Sequence, residues 1–295
     1  MSARRSGGRF LNAALVGAAL LPPAAVLRQV LRYAKNVPLG DQWAGFAALV
    51  VKSYEAGIGF GDLWLQNNEH RVVVPNLILL AIARLTAWNT RAEILGSFAV
   101  ALLAFGLLVS LARRTVGRYA PGALGVVVLL ASLAQFSMAA QENWASGWQM
   151  TIHLNVLFAV AAAWSLDRFG ATARGAGAAS VAALLAAFSF ASGLFLLALV
   201  PLALAAWPVP PRVRSRLWVA AGAAAIGAIG ARLYFIGYYT PLGRPTTSPL
   251  AQPVQTLWFV IAYLGALLGA TRIGVATAWG ALGAAALAVS TAWLW

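Results

Sequence analysis

The chain contains no cysteine, which excludes disulfides, thiolate chemistry and Cys-ligated metals. Histidine is almost as scarce. His70 and His153 are the only two, too few for a His-based metal site without help from carboxylates. Acid is short as well, with seven Asp and Glu against 21 Lys and Arg in 295 residues. Charged residues of both signs make up only 9% of the chain, and no hydrophilic block is long enough for a separate soluble domain. In their place stand hydrophobic residues, 61% of the total, a composition foreign to soluble globules. Apolar stretches of near-spanning length recur from one end to the other, so the composition predicts an all-α polytopic transmembrane bundle, one membrane domain over residues 1–295.

The net charge of +14 is not a nucleic-acid footprint, because that would need a hydrophilic face. Lys and Arg sit instead at the ends of apolar segments, as the positive-inside rule places them. A cleaved signal peptide is not expected, since no small-residue cleavage site follows the first apolar stretch, 10–27. Hydropathy predicts about nine spans, at 10–33, 92–112, 120–139, 148–166, 176–190, 191–207, 216–237, 255–270 and 274–295. The apolar segment 72–88 is about 17 residues long and carries Pro75 and Arg84. It fits either a short span or an interfacial helix.

Charge chooses between these two. With 72–88 on the outer surface, one side of the membrane collects Arg4, Arg5, Arg9, Arg113, Arg114, Arg118, Arg168, Arg174, Arg212, Arg214, Arg216 and Arg272, with Asp167 as the lone acid. With 72–88 spanning, every cluster after the first changes side. The first topology obeys the positive-inside rule, and it predicts a multi-pass protein of the plasma (inner) membrane with its amino terminus cytoplasmic.

The other six acids, Asp41, Glu55, Asp62, Glu69, Glu93 and Glu142, then lie outside. Five fall in or against the one long extramembrane segment, 34–91, and loops of that length usually carry function. Within it Trp43, Phe46, Leu49, Val50 and Tyr54 recur at helical spacing, which predicts a second interfacial helix over 43–54. Ser189-Phe190-Ala191-Ser192-Gly193 interrupts a long apolar run and predicts a break between two spans. No internal repeat of fixed period is present. The spacing of Gly222, Ile226 and Gly230 is what chance produces in so Gly-rich a chain.

Three polar constellations emerge on the predicted outer face: Gly40-Asp41-Gln42-Trp43, Gln66-Asn67-Asn68-Glu69-His70-Arg71, and Gln141-Glu142-Asn143-Trp144. Carboxylates beside interfacial tryptophans are placed to act on a lipid's polar head while its tail stays in the bilayer. Each also has an ordinary structural explanation. Asp41 would cap the 43–54 helix with Trp43 as interface anchor. Glu69, His70 and Arg71 would form a solvated turn, Glu142 would be a loop acid, and His153 a packing hydrogen-bonder. Arg232, near the outer end of its span, would snorkel.

In this order the motifs resemble the amino-terminal part of the lipid-dependent glycosyltransferases of the GT-C fold, such as protein O-mannosyltransferases and aminoarabinose transferases. Asp41-Gln42-Trp43 stands where that family opens its first outer loop with an aspartate motif, and Gln42 replaces the acid that commonly follows. Val50 to Gly57 matches its helix and small-residue turn. Glu69-His70-Arg71 to Pro75 matches its polar stretch before a Pro-headed interfacial helix, and Leu111 to Arg118 its basic span end. The break at Ser189 to Gly193 falls where the family has a polar interruption.

The resemblance implies an inverting transfer of a sugar from a polyprenyl-phosphate donor to an acceptor on the outer face. Asp41 would be the general base, Arg71 with His70 would hold the phosphate leaving group, and Glu69 or Glu142 would orient hydroxyls. Trp43 and Arg232 complete the candidate substrate contacts, and a divalent cation is the one candidate cofactor. The implied partners are membrane lipid and the lipid-linked sugar. Two other readings stay open: a transporter or flippase for a lipid-linked or small polar substrate, and a non-catalytic assembly protein that uses the outer loop for docking.

Overall fold

The computed structural model describes residues 2–207, 213–241, 251–266 and 272–294. Arg212 and the expected span end at 267–270 lie outside the described residues. The described chain is helical apart from loops and one two-residue hairpin. It divides into two compact units, Met1–Tyr239 and Thr240–Trp295.

The first unit opens with α1 (Ser2–Ala18) and α2 (Leu21–Tyr33). They jog at Ala19–Leu20, where Pro22 and Pro23 fit the first turn of α2 because they need no helical donor there. A short π-helical turn, Gln42–Phe46, leads into α3 (Ala47–Glu55). Next come α4 (Phe60–Leu63), the hairpin strands β1 (Gln66–Asn67) and β2 (His70–Arg71), and α5 (Val73–Leu85). The long α6 (Thr90–Arg114) is capped at its start, where the Asn89 side chain accepts from the Arg91 N–H, and it ends on Arg113 and Arg114. Then follow α7 (Val116–Tyr119), α8 (Leu124–Gln135), α9 (Met150–Phe169), α10 (Ala173–Ala187), α11 (Leu194–Ala205) and α12 (Val213–Tyr234).

Side-chain ties show which helix ends lie together. Asn12 Oδ1 accepts from the Gly125 N–H and Ser132 donates to Ala19 O, so α1 and α8 run the same way. Glu93 packs on Gly147 at one end of α6, and Arg114 pairs with Asp167 at 2.5 Å at the other, so α6 runs alongside α9 in the same direction. Thr90 N–H donates to Asn36 Oδ1 at 2.8 Å, and Arg91 Nε donates to Ala34 O. The segment 34–89 therefore leaves and re-enters the bundle at one end. With 13 residues, α5 is about 20 Å long, well short of the ~30 Å hydrocarbon core.

Among the described residues four helices are long and apolar enough to cross a membrane: Phe10–Tyr33, Thr90–Tyr119, Gly147–Phe169 and Ser215–Tyr234. A bent pair, Pro121–Gln135 with Met138–Trp144 at 53°, makes a fifth. These are the helices of a membrane protein, but they number fewer than the nine predicted spans. The others are shorter apolar helices; two of them, α10 and α11, are separated by the predicted break near Ser189.

Two clusters hold the helices of this unit. One joins α2, α6 and α8 through Val26, Val30, Phe98, Ala101, Phe105 and Val128. The other joins α9 to α12 through alanines of α10 together with Leu166, Leu197, Val200 and Leu204. Small residues bring helix backbones close where neither water nor lipid separates them. Gly222 faces open space, whereas Gly227 sits against the Leu197 carbonyl and Gly230 against Leu184. The second unit is a hairpin of α13 (Pro253–Ala266) and α14 (Ile273–Leu294), whose backbones touch at Gly265 and Gly280.

Candidate functional site

The segment 34–89 does not lie flat. Phe46, Leu49 and Val50, three of the five apolar residues expected to face lipid, are buried in a third cluster with Leu79, Ala83 and Trp148. Only Trp43 and Tyr54 remain exposed, and Trp43 meets Trp88 edge to face at 6.3 Å. The apolar stripe is real, but it is spent on protein contact because α5 and the start of α9 offer it a surface.

Folding this loop over the helix ends opens a cleft of about 460 Å³. Asp41 and Lys52 stand on one wall, Asp62 and the amides of Gln66, Asn67 and Asn68 on another, and Leu49, Val72 and Trp148 supply apolar surface. Asp41 precedes the π turn, yet its side chain makes no capping hydrogen bond, so the capping explanation is not what the structure shows. Gly45 lets the Asn67 amide approach the backbone of the π turn, and a Cβ there would displace that amide. The amides are presented by the β1–β2 hairpin, which turns through Asn68 at φ 49°, a conformation asparagine tolerates better than most residues. Gln66 donates to Tyr239 O at 2.7 Å and accepts from its N–H at 3.1 Å. Asn76 closes the cleft from α5 with its Oδ1 buried and unpartnered among the described residues. Buried amide oxygens without a donor are uncommon, and this one borders a space that a ligand could fill.

Lys52 donates to Asp62 at 2.5 Å across the cleft rim. That bond, and a second from the Gly59 N–H, hold the half-buried Asp62 carboxyl below the ordinary carboxylate range.

Beneath Asp41 lies a buried polar knot. Gln42 donates to the fully buried Glu93, and its Oε1 takes the Ser146 hydroxyl at 3.3 Å. Gly147 leaves no room for a Cβ beside Glu93, whose Oε1 has no partner among the described residues. The knot ties the Asp41 turn to α6 and to the entry of α9. Glu93 was grouped with the outer-loop acids by its sequence position. The signal pointing to it is its place at the head of an apolar helix, where an ionisable residue is expensive.

The other predicted residues occupy the same end of the first unit but serve different neighbours. Arg71 is 3% exposed. Its guanidinium donates to Tyr234 O (3.0 Å), Trp64 O (2.5 Å) and Ile236 O (2.5 Å), and it stacks on the Trp64 ring. It caps the carboxyl end of α12 and does not line the cleft. His70 accepts from the Ala191 N–H at 3.2 Å, stacks on Phe190 and lies 3.6 Å from Glu69, so it fastens the loop to the α10–α11 break. Tyr234 donates to Glu69 O at 2.6 Å. At the break, Asn155 of α9 donates to Ala186 O and accepts from Ser192. Glu142 is exposed on the turn four residues before Ser146, and Arg232 is exposed in the last turn of α12. His153 packs on Trp144 and bonds Asn143 O at 3.3 Å, as the ordinary explanation requires.

A divalent cation does not fit the cleft well. No cluster of three or more His, Asp or Glu occurs among the described residues, and Lys52 already neutralises one of the two carboxylates present. Comparisons with models of protein families, with curated proteins and with solved structures find no match to this chain.

Proposed function

We propose that the chain is a membrane glycosyltransferase-like protein that takes the polar head of a polyprenyl-phosphate sugar into the Asp41 cleft and transfers the sugar to an acceptor on the outer face. The observation that carries this reading is the Asp41 side chain, free of any capping bond, on the wall of a cleft that mixes amides with apolar surface. Amide groups and an aromatic wall suit a polyhydroxylated ligand, and a carboxylate among them can take a hydroxyl proton. Asp41 is the base in this scheme. Lys52 replaces Arg71 as the cation nearest the leaving phosphate, because Arg71 is committed to backbone carbonyls. The attacking hydroxyl loses its proton to Asp41, its oxygen bonds the anomeric carbon, and the phosphate leaves with the bonding pair.

The proposed setting is a nine-span bundle in the plasma membrane with its amino terminus in the cytoplasm. The arginine clusters support it, as does the common end shared by residues 34–36 and 90–91. A second reading, a transporter of a lipid-linked or small polar substrate, is favoured by the polar seam of Asn155 and Ser192 at the α10–α11 break.

The test is sugar transfer from a radiolabelled polyprenyl-phosphate donor in proteoliposomes. Wild type should transfer, and Asp41→Asn, which keeps size and polarity but takes no proton, should lose about 10²-fold or more. Equal activity in both removes Asp41 as the base. Substrate movement without transfer, sensitive to Asn155→Leu, favours the transporter.

A further inference from the structure

Away from the Asp41 cleft, α11 and α12 enclose an open groove of about 600 Å³ walled by Leu197, Pro201, Ala220, Ala224, Gly227 and Ala231 among other apolar residues. No polar side chain lines it. Pro201 has no N–H to offer the Leu197 carbonyl four residues back, and that carbonyl lies against Gly227, where a side chain would not fit. The groove therefore depends on particular residues and is not a casual gap between helices.

Its dimensions point to an occupant. The α12 lining runs from Ala220 to Ala231, about 16 Å at 1.5 Å per residue. That is roughly half of a ~30 Å hydrocarbon core, the depth of one leaflet. Arg232 follows directly, four residues after the lining Ala228 and so on the same helix face. It is exposed and makes no hydrogen bond or ion pair among the described residues. Phe235 and Tyr239 are exposed just beyond it, as aromatic residues are at the headgroup level. The other end of the groove differs, because Arg216, four residues before Ala220, is already tied to Trp207 O at 2.5 Å.

We propose that the α11–α12 groove holds one acyl chain of an anionic phospholipid whose phosphate is bound by Arg232. An apolar trough of single-leaflet length ending at an uncommitted guanidinium matches that amphiphile in both its parts. The site is independent of the sugar-transfer reading. It also bears on the fold, since the bound lipid would brace the same α12 end that Arg71 clasps.

The test uses the full chain in vesicles of equal phosphatidylglycerol and phosphatidylcholine, doped with either lipid carrying a diazirine in its acyl chain, with crosslinks mapped by mass spectrometry. Phosphatidylglycerol should label residues 194–205 and 220–231 about fivefold more than phosphatidylcholine. Arg232→Gln should bring that ratio to about one, and Arg232→Lys should keep most of it. Ala224→Phe should remove labelling by both lipids, with circular dichroism reporting that the helices persist. Equal labelling of the wild type by the two lipids overturns the proposal, as does an unchanged ratio in Arg232→Gln. Should Ala224→Phe not fold, the Arg232 series decides the matter alone.

Discussion

At the scale of single residues, the cleft is governed by groups that the sequence presents as neighbours of the obvious ones. Asp41 draws attention, but Gln42, Glu93, Ser146 and Gly147 position it. Glu93→Ala would leave the buried Gln42 amide unpaired and open a cavity, a loss of about 3 kcal/mol, read as a fall in melting temperature of the detergent-solubilised protein. Glu93→Gln retains volume and a hydrogen-bonding partner and should cost less than half of that. Gly147→Ala forces a Cβ onto Glu93 and should destabilise by about 1–3 kcal/mol. The Lys52–Asp62 bridge gives a pH signature. The folded-state pKa of Asp62 is depressed, so its contribution is present above the unfolded pKa and is lost as pH falls through the folded value. Cleft geometry, followed by fluorescence of a probe attached at Asn68→Cys, should therefore hold through neutral pH and change only on the acid side. Asp62→Asn should abolish that acid transition, and its persistence would assign the transition elsewhere.

At the scale of elements, one arginine joins two distant parts of the chain. Arg71 on β2 bonds carbonyls at the end of α12 more than 160 residues away in sequence. Those carbonyls are the ones a helix terminus leaves without partners, and a fork of donors suits them better than an ammonium does. Arg71→Lys should therefore fail to rescue, with a loss of about 3 kcal/mol or more. Hydrogen exchange should rise at residues 234–238 while α6 stays protected. The same contact explains why a residue that the family resemblance assigns to phosphate is taken up by structure. The stripe over 43–54 teaches a similar lesson. Its helical periodicity was legible, but periodicity names an apolar face without naming what covers it. Phe46 and Val50 found α5 and Trp148, not lipid.

At the scale of the whole molecule, membrane residence follows from composition, and among the described residues five helical passes at most are long and apolar enough to cross. The proposed topology can be read directly because the natural chain has no cysteine. Single cysteines replacing Glu55 and Arg113 should behave oppositely in intact cells. The first should react with a membrane-impermeant maleimide, and the second only after permeabilisation. Labelling of both, or of neither, would discard the amino-terminus-in arrangement.

The sequence by itself determined what needs only local information. Apolar run lengths set the helices, arginine placement set their expected sides, and Ser189 to Gly193 marked a break that the structure contains at 188–193. Asp41 was legible as a candidate because it is a lone acid at the mouth of a span. What only the tertiary structure decided is which polar groups meet: Gln42 with Glu93, Arg71 with the end of α12, Lys52 with Asp62. Hydropathy and charge are sums over neighbours in sequence, whereas a hydrogen bond between residues 51 or 163 positions apart depends on how helices pack. In this chain that packing is set by small residues whose partners no linear pattern identifies.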